Sequence, residues 1–211
     1  MAMGAAVSVV TLLLLAVQEK ASDSRPNLEM ARQALQTGKP IGRISLEALN
    51  FGRELDIGSG LRVLAISRSL GGGLAAFGQD GSNIGMIETG EFLWIQLFDL
   101  NEDGTAEVVT EEVDGRGTGV LTKVFRLYVV STGSIKKAWE AESFVRTAPW
   151  RPDARTVTLT EKRAFLRFDA SGAGQPARMT YAVADPAQRR LLERVFEMKG
   201  DAVQPRQEAS R

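Results

Sequence analysis

From residue 41 onward apolar residues fall near every second position, the spacing of half-buried β-strands. Ile41 to Leu49 and Leu61 to Ser67 read as strands, separated by a turn region at Asp56-Ile57-Gly58-Ser59-Gly60. Glu91 to Phe98 is a nearly continuous apolar run, which predicts a strand covered on both faces. Ala106 to Val113 follows, and then Val120 to Val130, where Val120, Val124, Tyr128 and Val130 share one face and Phe125, Leu127 and Val129 the other. Ile135 to Phe144, Arg155 to Thr160, Ala164 to Asp169 and Arg178 to Ala184 continue the pattern. Arg189 to Lys199 fits both a helical face capped by Asp185-Pro186 and an alternating strand; simple pairing with Arg178 to Ala184 favours the strand.

The other segments punctuate these elements. Gly4 to Val17 is an uncharged apolar stretch, too short to span a bilayer comfortably and of the length of a signal-peptide core; a buried N-terminal helix is the alternative. Residues 19–40 are polar, and Ser24-Arg25-Pro26 ahead of Leu28, Ala31 and Leu35 predicts a short helix stopped by Gly38-Lys39-Pro40. Ser69 to Gly90, with Gly71-Gly72-Gly73 in its first half, reads as a long surface connection or, functionally, a flap. Asp114 to Gly119 reads as a wide hairpin turn rather than an anion-binding nest, because no helix start follows. Pro149, Trp150 and Pro152 place an internal boundary near 147–153, and residues 201–211 form a polar tail expected to be disordered. The implied organisation is a signal peptide over 1–18, a polar segment with a short helix over 19–40, and a β domain over 41–200. Its fold class is all-β and mainly antiparallel: an open sheet, sandwich or irregular barrel.

Composition narrows the chemistry. Lys+Arg and Asp+Glu both number 26, so zero net charge gives no global pull toward nucleic acid or anionic membrane. Histidine and cysteine are absent, which excludes a Ser-His-Asp triad, a cysteine nucleophile, disulfides and the usual zinc sites. Acid/base catalysis would fall to carboxylates such as Glu111, Glu112, Glu140 and Glu142. Glu111 and Glu112 are adjacent, so on a strand they point to opposite faces and cannot work as a pair; Glu140 and Glu142 share a face.

One stretch implies a specific chemistry. In Leu97 to Val109, oxygen-bearing side chains stand on alternate positions (Asp99, Asn101, Asp103), Gly104 follows at the bend, and Glu107 comes four residues after Asp103. Short loops wrap a hard cation such as Ca²⁺ in this way, and three carboxylates crowded in one turn call for a compensating charge. The alternative is a metal-free turn held by its own Asx hydrogen bonds. A weaker echo, Phe168-Asp169-Ala170-Ser171-Gly172-Ala173-Gly174, keeps Phe, Asp and Gly in register and puts Ser171 where Asn101 stands, but has Ala173 and Ala177 where Asp103 and Glu107 stand; it reads either as a related second loop that has lost its metal or as chance similarity.

Asp-x-Asn-x-Asp-Gly-x-x-Glu between apolar strands resembles the calcium loop of FG-GAP and VCBS-type repeats, which sit in integrin-like β-propeller blades. The resemblance covers Leu97 to Val109. It implies side-chain ligands from Asp99, Asn101, Asp103 and Glu107 and a backbone carbonyl from Thr105. An EF-hand would want glutamate where Thr110 stands, and one good loop is too few for a closed propeller. The expected function is therefore a non-enzymatic, secreted or periplasmic β module with structural Ca²⁺. Its mature chain would have no transmembrane span, and its partner would be a protein, a glycan or a small ligand. A carboxylate-based hydrolase and a small apolar-ligand carrier are the rivals.

Overall fold

Among the described residues, every sheet pairing joins strands that follow one another in the chain. This computed structural model describes residues 51–68, 71–117, 119–148, 159–169, 177–185 and 190–206. The apolar stretch at 4–17, the helix expected before Pro40, the strand expected at 41–49, most of the 147–153 boundary and the second loop copy lie outside the described residues. Among the described residues there are twelve strands: β1 (Phe51–Gly58), β2 (Leu61–Arg68), β3 (Gly71–Phe77), β4 (Asn83–Thr89), β5 (Glu91–Phe98), β6 (Glu107–Gly117), β7 (Val120–Ser131), β8 (Ser134–Thr147), β9 (Thr160–Asp169), β10 (Arg178–Asp185), β11 (Arg190–Lys199) and β12 (Ala202–Pro205). They form two antiparallel sheets, β1-β2-β3-β4 and β12-β11-β10-β9-β8-β7-β6-β5. The ambiguous segment before Lys199 is a strand, in register with β10 from Arg178 opposite Glu197 to Asp185 opposite Arg190.

The eight-stranded sheet is covered on both faces at its centre. One face presents Phe92, Ile95, Val108, Tyr128 and Val130 to Leu55, Ile57, Val63, Ala65, Leu74 and Ala76 of the smaller sheet. The other face presents Val109, Leu127 and Val129 to Met179 and Met198 from β10 and β11. The sheet therefore folds back on itself. Phe98 stacks on Phe168 at 4.0 Å, and Trp139 meets Tyr181 and Phe196 edge-on at 5.9 and 5.5 Å. Alternation puts successive residues on opposite faces, so Val108 with Val109 and Leu127 with Tyr128 are all at most 1% exposed. The two faces read from the sequence of β7 are the two faces observed. Double coverage falls on β6 and β7 more than on β5, where Leu93 is 40% exposed.

Three expectations are corrected. Ser69 to Gly90 is no long connection: Gly71 opens β3, and β4 follows after a short turn at 78–82. Glycine is required by packing there, because a Cβ on Gly72 would lie 2.6 Å from the Ile66 carbonyl oxygen and 2.7 Å from Ser67 Cβ. The Asp114 to Gly119 turn is shorter than expected, since β6 runs to Gly117 and pairs with Val120. The polar tail begins with a strand, β12, which the two-residue turn Gly200-Asp201 returns onto β11. The change of sheet comes at Gly90, between β4 and β5, whereas β8 and β9 stay paired across the proline-rich boundary from Phe144 opposite Arg163 to Thr147 opposite Thr160.

Candidate metal loop and buried ion-pair hub

The acidic loop joins β5 to β6 and rests on the β1–β2 hairpin of the other sheet. Ser59 and Gly60 both have positive φ (52° and 72°), as a two-residue type I′ hairpin turn demands. The turn lies against the loop: Ser59 Oγ donates to the Gly104 carbonyl (3.2 Å), Thr105 Oγ1 donates to Ser59 Oγ (2.9 Å), and the Ala106 N–H donates to the Ile57 carbonyl (2.7 Å). Leu100, only 4% exposed, anchors the loop in the second core.

The sequence-predicted ligands divide into two groups. Asp99, Asn101 and Asp103 come together around the turn's backbone amides. The Asp103 N–H lies 3.1 Å from Asp99 Oδ1 and 3.2 Å from Asn101 Oδ1, the Gly104 N–H donates to Asp99 Oδ2 (3.0 Å), and the Thr105 N–H donates to Asp103 Oδ1 (2.7 Å). Asn101 Nδ2 bridges to Asp103 Oδ2 at 2.9 Å. Glu102 carries the bend at φ 60° with Gly104 at 82°. Glu107 instead turns inward: it is 2% exposed, and its Oε2 accepts the Leu100 N–H at 2.7 Å. Among the described residues no group of three or more acidic side chains converges in a metal-ligand arrangement. The loop's clustered donors are two carboxylates and one amide.

Burial pushes the Glu107 carboxyl up to about 7; the Leu100 and Glu107 amides oppose the rise, and the charges of Asp103 and Asp99 add to it. The folded state therefore holds a proton that the unfolded chain has released, and stability falls as pH climbs from about 4.5 to about 7. The contribution is fully present below about pH 4.5 and amounts to about 3 kcal/mol. Glu107→Gln keeps an acceptor for Leu100 and removes the titrating group. Urea unfolding from pH 4.5 to 7.5 should show a falling midpoint for the natural protein and a flat one for this variant.

A second constellation carries no sequence motif. Glu112, fully buried, accepts four hydrogen bonds: Thr110 Oγ1 (2.6 Å) and Tyr128 Oη (2.8 Å) on Oε1, the Gly90 N–H (2.7 Å) and Arg126 Nη1 (2.5 Å) on Oε2. Arg126 also donates from Nε to Glu140 (2.7 Å) and from Nη2 to Asp114, and Lys137 reaches the same Glu140 oxygen at 2.7 Å. A bulge between Val113 and Gly115 sits at Asp114, and such irregularities re-aim side chains. Burial alone would lower the Arg126 pKa, but hydrogen bonds to Glu140, Glu112 and Asp114 and the Glu112 charge raise it overall. Burial and the Glu112 charge likewise raise the Tyr128 phenol, and hydrogen bonding from Lys137 and Arg126 holds the Glu140 carboxyl low. These groups border a cleft of about 270 Å³ between β4 and β6–β8, lined by Thr89, Gly90, Asp114, Arg126, Tyr128 and Lys137 among others. The sequence signal was Thr110-x-Glu112 beside Arg126-x-Tyr128, two polar pairs at strand spacing within apolar runs.

Glu111 does point away from Glu112, taking Trp94 Nε1 (3.1 Å) and Ser143 Oγ (2.6 Å). Glu142 pairs with Lys162 at 2.6 Å. The apolar interior between Leu127, Met179, Phe196 and Met198 leaves a gap of about 10 Å³, at most room for one water. No protein-family profile, no curated protein and no solved structure matches the chain.

Proposed function

We propose that the protein is an exported, non-catalytic β module, built for binding or scaffolding, in which Ca²⁺ locks the loop from Asp99 to Glu107 and with it the joint between the two sheets. The observation that carries this reading is the gathering of Asp99, Asn101 and Asp103 oxygens on one turn that is hydrogen-bonded to the β1–β2 hairpin. The turn's likeness to FG-GAP and VCBS loops supports the same ion. Side-chain oxygens of these three residues and the Thr105 carbonyl begin the ligand set, the cation takes the place of the Asn101–Asp103 side-chain hydrogen bond, and Glu107, turned inward to the Leu100 amide, has to swing toward the cation to complete it. Two positive charges there would also relieve the repulsion that Asp99 and Asp103 exert on Glu107.

Non-catalytic fits the state of the carboxylates. Glu111, Glu112, Glu140 and Glu142 are each held by hydrogen-bond donors, whereas an acid/base pair needs a group free to exchange a proton with substrate. Export rests on the apolar stretch at 4–17. A ligand that binds only the folded state stabilises by about 2.7 kcal/mol at a hundredfold excess over its Kd. Thermal unfolding in millimolar Ca²⁺ should therefore rise by several degrees over unfolding in chelator, and Asp103→Ala should abolish the rise while Mg²⁺ gives less. Equal melting in Ca²⁺ and chelator would overturn the reading.

A further inference from the structure

Side chains of β9, β10 and β11 alternate between the core and an outer face. Ala164 and Leu166 of β9, Tyr181 and Val183 of β10, and Phe196 of β11 join the core, so their chain neighbours project outward. The register lines these neighbours up. Phe165, Ala182 and Glu193 share one row; Ala184 and Leu191 lie on one side of it, and Arg167, Thr180 and Val195 on the other. Two walls of longer side chains therefore stand about 10 Å apart, with the alanines of β10 as a low floor between them. The β9 wall is Arg163, Phe165 and Arg167, and the β11 wall is Leu191, Glu193 and Val195. Phe165 and Leu191 are 55% and 50% exposed, which leaves apolar surface in water on both walls. The Arg163 and Arg167 side chains are 64% and 65% exposed, and their pairs with Glu161 and Asp169 are surface contacts that a better partner can replace. Glu193 has no ion-pair partner among the described residues.

We propose that this face docks a second copy of the chain, sheet on sheet, about a two-fold axis parallel to β10. Such an axis sets β9 of each copy over β11 of the other, at the roughly 10 Å spacing of stacked sheets. The two walls are complementary: Arg163 and Arg167 flank the other copy's Glu193, once in each direction, while Phe165 and Leu191 of both copies fill the space above the alanines. A two-fold axis perpendicular to the strands would stack β9 on β9 and arginine on arginine, which like-charge repulsion opposes. Asp169 comes over the other copy's Glu197, whose charge Arg178 and Arg206 of its own chain answer. Zero net charge leaves no long-range repulsion between copies. The shared patch, three strands wide and roughly 15 by 17 Å, falls short of the ~800 Å² that each partner gives a standard interface, so the dimer is weak and reversible.

Analytical ultracentrifugation of the full chain should show a reversible monomer–dimer equilibrium between about 10 μM and about 1 mM, the range of a small interface. Phe165→Asp should weaken association about tenfold or more. Two further proteins reverse the walls, one carrying Arg163→Glu with Arg167→Glu and the other Glu193→Arg. All of these positions are exposed, so both proteins should keep the natural far-ultraviolet spectrum and melt within a few degrees of the natural chain. Each should be monomeric alone, because like charges then meet, and their equimolar mixture should dimerise, because the reversed walls match. A natural chain that stays monomeric at about 1 mM, a dimer that Phe165→Asp leaves intact, a reversed protein that dimerises alone, or reversed proteins that fail to associate when mixed would overturn the proposal.

Discussion

Arg126→Ala should lower the folding free energy by about 3–5 kcal/mol, the usual cost of removing one partner of a buried ion pair. Glu112 is fully buried, and Arg126 is its cationic partner, with a side chain only 12% exposed. Thr110, Tyr128 and the Gly90 amide would still donate to Glu112, so the uncompensated charge, rather than a missing hydrogen bond, carries the loss. At this chain length the melting temperature should fall by about 10 °C. Glu112→Gln in the same background removes the charge and should recover most of the loss, which a simple cavity effect of the lost arginine would not allow. Glu140 and Asp114 are 39% and 44% exposed, so neutralising either should cost below about 1 kcal/mol. Thermal melts of the single and double variants decide the matter. Glu112 thus acts as a rivet: it ties the Gly90 crossover of the smaller sheet to β6 and β7 of the larger one.

Gly58→Val should be nearly as damaging, by about 3 kcal/mol, because two costs coincide. The residue sits at φ 87°, a region that costs an L-residue about 1–2 kcal/mol and a β-branched one more. A Cβ there would lie 2.3 Å from the Gly104 carbonyl oxygen, a distance no side chain tolerates. The loop must move off the hairpin, breaking the Ser59–Gly104 and Ala106–Ile57 hydrogen bonds. Hence this variant should lose stability, and if the proposed calcium site exists it should also lose its response to Ca²⁺, although it alters none of the proposed ligands. A Gly117→Ala control, where an added Cβ meets nothing within 4 Å, should be close to neutral in the same melts.

Much of the fold was legible because period-two alternation survives wherever one face is buried. The opposing faces of β7 follow directly from it, whereas Arg189 to Lys199 fits a helical face as well as alternation, and only pairing with the preceding strand favours β11. Other features depend on contacts distant in sequence. Gly71-Gly72-Gly73 argues against a strand by propensity, yet β3 forms by pairing with β2 and β4, and Ile66 and Ser67 leave no room for a side chain at Gly72. The crossover at Gly90 is dictated by Val113, whose carbonyl oxygen lies 2.4 Å from a Cβ placed there. Residues 202–205 read as tail because polar composition outweighed the Gly200-Asp201 turn, a hairpin signal in its own right.

The loop illustrates the same division. Its position between two strands and the convergence of Asp99, Asn101 and Asp103 were readable from spacing. Its attachment to the β1–β2 hairpin was not, because Ser59 and Thr105 are 46 residues apart. The Arg126 hub has no motif for a related reason: it is assembled from β6, β7 and β8, and only their register brings Glu112, Arg126 and Glu140 together.

We propose that this loop holds one calcium ion. Calorimetric titration of Ca²⁺ into the metal-stripped full chain at pH 7.5, beside an Asp99→Asn/Asp103→Asn variant with the same far-ultraviolet spectrum, addresses it most directly. One equivalent of binding in the natural protein and none in the variant is the predicted result. No binding up to millimolar Ca²⁺, or equal binding by both proteins, would contradict it.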